Sequence, residues 1–482
     1  MNRSSISKWI RKLGLKKGDI VLLHSSIHAV GPVDGGADTV VDAFLDVIGA
    51  EGTLVVPTFG KLGIITEIIS SRKGAVKSCH PLASVAAIGR KAKKICAAHW
   101  EAATGHGEDT PYVRIAEMGG YICLLGVDQD RNTTLHSIEE LLRLPYLKKS
   151  REITFDTPDG QNIKKSWDFF PGPHRDFIGL DKILRESGKM KTASIGNAVI
   201  RLIKSKDMIE TVVEHAKKHP DFALCTNPSC LDCTLQRAAI TRNRLGKESF
   251  KTAASAALAG KYVPEMIENL HRCGIDNVEL DYINGRPIQM LPSEKIKQTV
   301  SEFSSENIKT ISMRLSAFPD DLSEILKTAS DAGIPEFVLP FPLRGDISRF
   351  LKDAGVMKIR LSFFNNENIS SGMIEKTFKD INNPDTSLSF SPAGFTRAGE
   401  TPFLASFSKT RLRKLMSRIY VEDCLFDGTP TKLANGNSEI KELISILRCS
   451  SFSGIVVLGP LNRCTATLEE CTSDFVSLLD SM

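Results

Sequence analysis

The run LLGVDQDRNTTLHSIEE (124–140) places His136 just beyond an apolar strand, near a helix start where Thr133 or Thr134 is the expected N-cap. Strand ends of this kind collect the reactive groups of α/β proteins. An imidazole there titrates in the range needed to take a proton from a substrate ammonium at neutral pH. It needs a carboxylate to fix its tautomer. Asp130 is the first candidate, and Asp176 in HRDF (174–177) is the second. The same pattern also describes a helix-capping or core histidine.

Two further constellations carry chemistry. Ser25-Ser26, Gly31 and Gly35-Gly36 lie between a strand and a helix, where free backbone N–H groups and the positive helix end suit a phosphate. The run CTNPSCLDC (225–233) brings Cys225, Cys230 and Cys233 within nine residues around a turn. Three thiolates can wrap one ion, and tetrahedral zinc would take a fourth ligand, with His219 or His215 just upstream. An iron–sulfur cluster or a plain structural turn fits the same spacing.

The elements that must position these groups follow from periodicity. Asp19–His24, Thr53–Phe59 and Tyr121–Val127 read as buried strands, and 7–13, 38–48, 180–187 and 198–219 as helical. A turn-rich polar stretch fills 154–173. Mostly parallel α/β architecture follows. Near residues 235–248 the rhythm changes. Strand-like runs at 251–257, 277–282, 309–316, 336–342, 358–364, 387–393, 419–424 and 454–460 alternate with helical segments, the count of a (β/α)8 barrel. Two domains are therefore expected, 1–240 and 248–482.

The composition narrows the class. A net charge of +5 on 482 residues, with no Lys/Arg stripe interleaved with aromatics, excludes a nucleic-acid-binding reading. No apolar run approaches the roughly 20 residues of a membrane span, and no secretory h-region opens the chain. A cytoplasmic protein is expected, with most of its 11 cysteines as core thiols. The sequence is compatible with a homo-oligomer.

Four ordered blocks, 24–59, HPLASVAAIGRKA (80–92), GEDTPY (107–112) and 124–140, resemble the aminoglycoside N3-acetyltransferase family. The resemblance covers residues 15 to 235. It implies that fold for 1–240 and direct transfer of an acetyl group from acetyl-CoA, or another acyl-CoA, to a small-molecule amine, with an association with antibiotic resistance. By the same resemblance His136 is the general base, supported by Asp130 and Asp176. Ser25, Ser26, Gly35, Gly36, Thr110 and Thr133 line the coenzyme site, with Thr110 standing where a serine is usual. Residues 146–166 are basic through Lys148, Lys149, Arg151, Lys164 and Lys165. That disfavours a polycationic drug and favours a neutral or anionic amino sugar as the acceptor.

The segment MIENLHRCGIDNVELD (266–281) and the run FSGIVVLG (452–459) resemble the sugar-phosphate isomerase/epimerase, xylose-isomerase-like barrels. Such barrels imply a divalent metal held by carboxylates and histidine. Here only His271 lies beyond residue 240, so a barrel without its metal site is expected. Glu279, Asp281, Glu422 and Asp423 remain as polar groups at strand ends. The alternative is a bifunctional protein, or one whose chemistry is centred in the barrel.

Overall fold

The computed structural model describes residues 1–172, 174–318, 322–343, 347–365, 369–459 and 466–482. The ends of two expected segments, Pro173 and Pro460, lie outside the described residues. The chain divides into two compact units, Met1–Gln236 and Arg237–Met482.

The first unit is built on one seven-stranded sheet. Its strands are β1 (Ile20–Ser25), β2 (Thr53–Pro57), β3 (Val76–Lys77), β4 (Val85–Gly89), β5 (Tyr121–Leu125), β6 (Met190–Ile195) and β7 (Ala198–Lys204). Their spatial order is β6-β7-β5-β1-β2-β4-β3. The central strands β5, β1 and β2 run parallel, and β4 and β7 flank them antiparallel. Both faces of the centre are covered, which is why β1 and β5 are continuously apolar and not alternating. Side chains still divide by parity. Val21, Leu23, Cys123 and Leu125 join one core with Ile6, Ile10, Val40 and Phe44 from the helices Arg3–Leu13 and Gly36–Ile48. Leu22 and Ile122 face the opposite side.

Residues 198–219 are not one helix. Ala198–Lys204 is strand β7, and the helix begins at Ser205. Gly196, with φ of 58°, turns the chain into an antiparallel pairing with Met190 opposite Ile203. A Cβ at Gly196 would lie 2.4 Å from the carbonyl of Val30, so the tight approach requires glycine. The β-branched run that follows fits a strand better than a helix. The polar stretch after Thr154 is partly ordered into the ribbon Ile153–Asp156 with Asn162–Lys165, beside a short pairing of 148–149 with 168–169.

The second unit is a closed parallel barrel of β8 (Lys251–Ser255), β9 (Asn277–Leu280), β10 (Lys309–Arg314), β11 (Glu336–Pro340), β12 (Arg360–Phe364), β13 (Thr386–Phe390), β14 (Met416–Val421) and β15 (Ile455–Leu458). β15 closes onto β8, with Lys251 opposite Ile455. Residues 236–245 complete the helix Leu231–Leu245. Among the described residues no helix is long and apolar enough to cross a membrane.

Candidate active site

Ser26 donates its backbone N–H to the carbonyl of Leu125 at 2.9 Å, so the loops leaving β1 and β5 start side by side. The loop after β5 enters the helix Leu135–Leu141, whose second residue is His136. Its Nδ1 lies 2.7 Å from Oε2 of Glu139, one turn further along the same helix. Glu139 is fully buried. Its other oxygen accepts from the Tyr146 hydroxyl at 2.8 Å and from Arg175 Nε at 2.8 Å. Such a chain fixes the imidazole with Nδ1–H toward the carboxylate and leaves Nε2 as the basic lone pair. Nε2 makes no hydrogen bond among the described residues, and the side chain keeps 17% exposure.

Aromatic rings clamp this imidazole. Phe170 stacks on it at 3.9 Å with 7° between planes, and Phe177 meets it edge-on at 5.1 Å. The ring of His106 lies 5.2 Å away and is held by Glu140, whose Oε2 accepts the His106 backbone N–H at 2.6 Å. Burial lowers the His136 pKa below the ordinary value, and His106 and Arg175 push it the same way against the raising effect of Glu139. The ring is therefore neutral near pH 7 and can accept a proton. Burial raises Glu139, but the His136 hydrogen bond and the Arg175 charge outweigh it and hold the carboxylate ionised.

The supporting acids expected from sequence are not at the ring. Asp130 faces solvent beside Arg131 at 3.3 Å. Asp176 is exposed, and its backbone N–H donates to the carbonyl of Ala223. Glu139 takes the role because three residues along a helix return to the same face, whereas the Asp130 loop turns outward. The clue was the spacing of His136 and Glu139 in the sequence. Arg175, Tyr146 and Phe170 carry no such signal.

The expected coenzyme residues divide. Ser25 and Ser26 sit half-buried at the end of β1, with Ser26 Oγ capping the turn at Ala29 N. Gly35 and Gly36 have φ of 79° and 68° and open the helix Gly36–Ile48. A Cβ at Gly36 would meet nothing within 4 Å, so the backbone there is open to close approach. Thr110 is instead buried, with its hydroxyl donated to the carbonyl of Gly107 at 2.6 Å. Thr133 is buried beneath the helix start, where its carbonyl accepts from His136 N.

The basic stretch is largely engaged within the unit. Lys165 donates to the carbonyls of Trp100, Glu101 and Ala102, Lys149 pairs with Asp168, and Lys164 pairs with Glu152. The three cysteines do converge, but the nearby imidazole is His174. The rings of His215 and His219 lie 4.7 Å apart, tilted by 34°.

In the barrel, Glu279, Asp281, Glu336, Arg314 and Arg418 are buried in the interior. Glu279 binds Arg314, Arg418 and the Tyr420 hydroxyl, and Asp281 binds Arg314 and Ser255. Asp423 accepts the backbone N–H groups of Gly436 and Ser438. A cavity of about 1070 Å³ is lined by Phe364, Asn365, Arg397 and Glu422 at the carboxyl ends of the strands. Burial pushes the Glu422 carboxyl up to about 8, against the lowering pull of Arg397 and Arg314.

Comparison with known proteins agrees with the first unit's sequence blocks. The family model for aminoglycoside 3-N-acetyltransferase matches residues 22–61 and 60–217. Aminoglycoside N(3)-acetyltransferase VII of Streptomyces paromomycinus is 28% identical over 262 residues, covering 44% of this chain and 89% of that protein. The solved apoenzyme of aminoglycoside acetyltransferase AAC(3)-IVa is 27% identical, covers 50% of this chain and 97% of its own, and has a TM-score of 0.45. Aminoglycoside N(3)-acetyltransferase IX of Micromonospora chalcea is 32% identical over 203 residues, 35% of this chain and 70% of that enzyme. On that shared sequence, the chain belongs to the aminoglycoside N(3)-acetyltransferase family of N-acyltransferases.

Proposed function

We propose that the first unit transfers an acetyl group from acetyl-CoA directly to an amino group of an amino sugar or aminoglycoside-like acceptor, with His136 as general base. The observation that carries this reading is the His136 imidazole, oriented by buried Glu139 and presenting an unbonded Nε2. Nε2 takes a proton from the acceptor ammonium. The freed nitrogen lone pair attacks the thioester carbonyl, the C–N bond forms and the C–S bond breaks. The proton held on His136 then passes to the leaving thiolate, and the surplus proton on the acylated nitrogen is released to solvent, leaving a neutral amide and a free thiol. No acyl-enzyme is needed. The open Gly36 backbone and the Ser25–Ser26 strand end support an acyl-CoA site on the neighbouring loop. The cysteines serve the fold and not the reaction.

The test is coenzyme-A release by the full chain against a panel of amino sugars and aminoglycosides, beside His136→Ala. Turnover with at least one amine, abolished in the variant, is expected. No turnover of any amine, or an unaffected variant, would remove the proposal.

For the barrel we infer a likeness to sugar-phosphate isomerase/epimerase barrels in which the guanidinium groups of Arg314 and Arg418 take the place of a divalent cation among Glu279, Asp281 and Glu336. The cavity at the strand ends favours a second reading, a barrel-centred sugar-binding or isomerase-type activity using Glu422. Sugar-phosphate turnover that survives in His136→Ala and is lost in Glu422→Gln would establish it.

A further inference from the structure

The donor atoms of His174, Cys225, Cys230 and Cys233 all lie within 4.8 Å of one another. His174 Nδ1 is 3.3 Å from Cys233 Sγ and 3.5 Å from Cys230 Sγ. A tetrahedral zinc ion with Zn–S near 2.3 Å and Zn–N near 2.0 Å requires donor–donor edges of about 3.5–3.8 Å. The two contacts of His174 lie at or just below that range, and the other donor–donor distances are no longer than 4.8 Å, so small side-chain shifts suffice to close the four donors on one ion. Cys225 and Cys233 are buried, and Cys225 donates its backbone N–H to Cys233 Sγ at 3.4 Å, a bond that favours thiolate sulfur. Asn227 Oδ1 accepts from Ser229 N and closes the turn between the first two cysteines. Cys233 lies in the first turn of the 15-residue helix Leu231–Leu245, with Cys230 just before it, where the helix dipole also favours anionic sulfur.

The fourth ligand belongs to the strap that builds the active site. The described strap residues 170–172 and 174–177 lie against the cysteine segment. Gln236 donates to the carbonyl of Pro171, a Cβ on Gly172 would strike the Asp232 carboxylate at 2.7 Å, and Asp176 N bonds the carbonyl of Ala223. One residue from His174, Arg175 donates to Glu139 and covers the Phe170 ring at 4.8 Å. Phe170 in turn stacks on His136.

We propose that His174, Cys225, Cys230 and Cys233 bind one zinc ion, and that this metal fastens the strap whose Arg175 and Phe170 orient Glu139 and His136. The metal site stands on its own geometry; the positioning role rests on the acetyl-transfer reading above. Binding displaces the thiol protons, and the ion performs no step of the reaction. His174 is accordingly a positioning residue.

The test uses the full chain, purified under reducing conditions without added metal. Elemental analysis should give one zinc per chain, and cobalt(II) exchanged into the site should show a tetrahedral spectrum with a thiolate charge-transfer band. His174→Ala should lose metal affinity by at least about tenfold and lower kcat with little change in KM, while His174→Cys should restore both. Substoichiometric zinc, iron in its place, or a Cys–Cys disulfide in the purified chain would overturn the site. Stoichiometric zinc with His174→Ala at full kcat would overturn the positioning role. Metal content is read without any transfer assay, so zinc in a chain that acetylates nothing counts against the acetyl-transfer reading and leaves the site standing.

Discussion

Nδ1 of His136 and Oε2 of Glu139 are 2.7 Å apart on one helical turn, and the carboxylate is fully buried. A carboxylate so placed has water to lose and a charged network to gain. It is anchored from two further sides, by Arg175 and Tyr146, before the imidazole is counted. Its function is then to hold one tautomer of one ring, which makes it the residue to remove first.

Glu139→Gln should lower kcat by roughly 100-fold or more, within the range set by losing general-base catalysis, as the amide no longer stabilises the imidazolium that forms. Asp130→Asn and Asp176→Asn should stay within about twofold of the parent, since neither carboxylate reaches the ring and one base residue accounts for the whole effect. Steady-state coenzyme-A release measures all three, and a larger loss in Asp130→Asn than in Glu139→Gln would reverse the assignment.

The pH profile follows from the direction of the His136 shift. The folded pKa lies below the ordinary value because burial disfavours the imidazolium. The base is active when neutral, so the acid limb of kcat/KM should fall below pH 6.5, the unperturbed histidine value of about 6.5. Glu139 raises that pKa, so Glu139→Gln should move the limb to still lower pH while reducing the plateau. A limb above the unperturbed value in the parent chain would contradict the burial argument.

Three other histidines set the acid stability of the same unit. Burial pushes His24 and His99 down to about 3 and His80 down to about 2. Unfolded, each takes a proton near pH 6.5, so between that value and pH 3 the unfolded chain binds more protons than the folded one. Stability is full above the unfolded pKa and is lost as pH falls, with each such histidine contributing about 1.4 kcal/mol per pH unit. Urea unfolding followed at pH 7, 6, 5 and 4 should give a steadily falling midpoint; a flat response across pH 6 to 4 would contradict neutral burial of these rings.

The barrel interior should tolerate whole-network replacement better than single cuts. Arg418 has no solvent exposure and meets both Glu279 and Glu336. Arg418→Met leaves buried carboxylates short of a partner and should cost about 3–5 kcal/mol. Adding Glu279→Gln and Glu336→Gln to that variant should recover part of the loss. Amide hydrogen exchange in β9 and β14 reads the effect within this unit, and additive losses across the three substitutions would argue against a coupled network.

The sequence alone determined the class of both units, because continuous apolar strands and the alternation of short strands with amphipathic segments are local properties. All eight barrel runs overlap a barrel strand, and His136 was legible as a histidine at a strand-to-helix junction. The error at 198–204 arose where an apolar run fits either element, and only pairing with Met190–Ile195 decided for a strand. The carboxylate that meets His136 follows from three-residue spacing within one helix, whereas the imidazole that joins the cysteines was a decision of tertiary structure. His219 is nearer Cys225 in sequence, yet it loses to His174, which folding brings alongside. Proximity along the chain fixes distance only within an element; between elements it is set by burial, which placed Arg175 and His174 where no spacing rule could have found them.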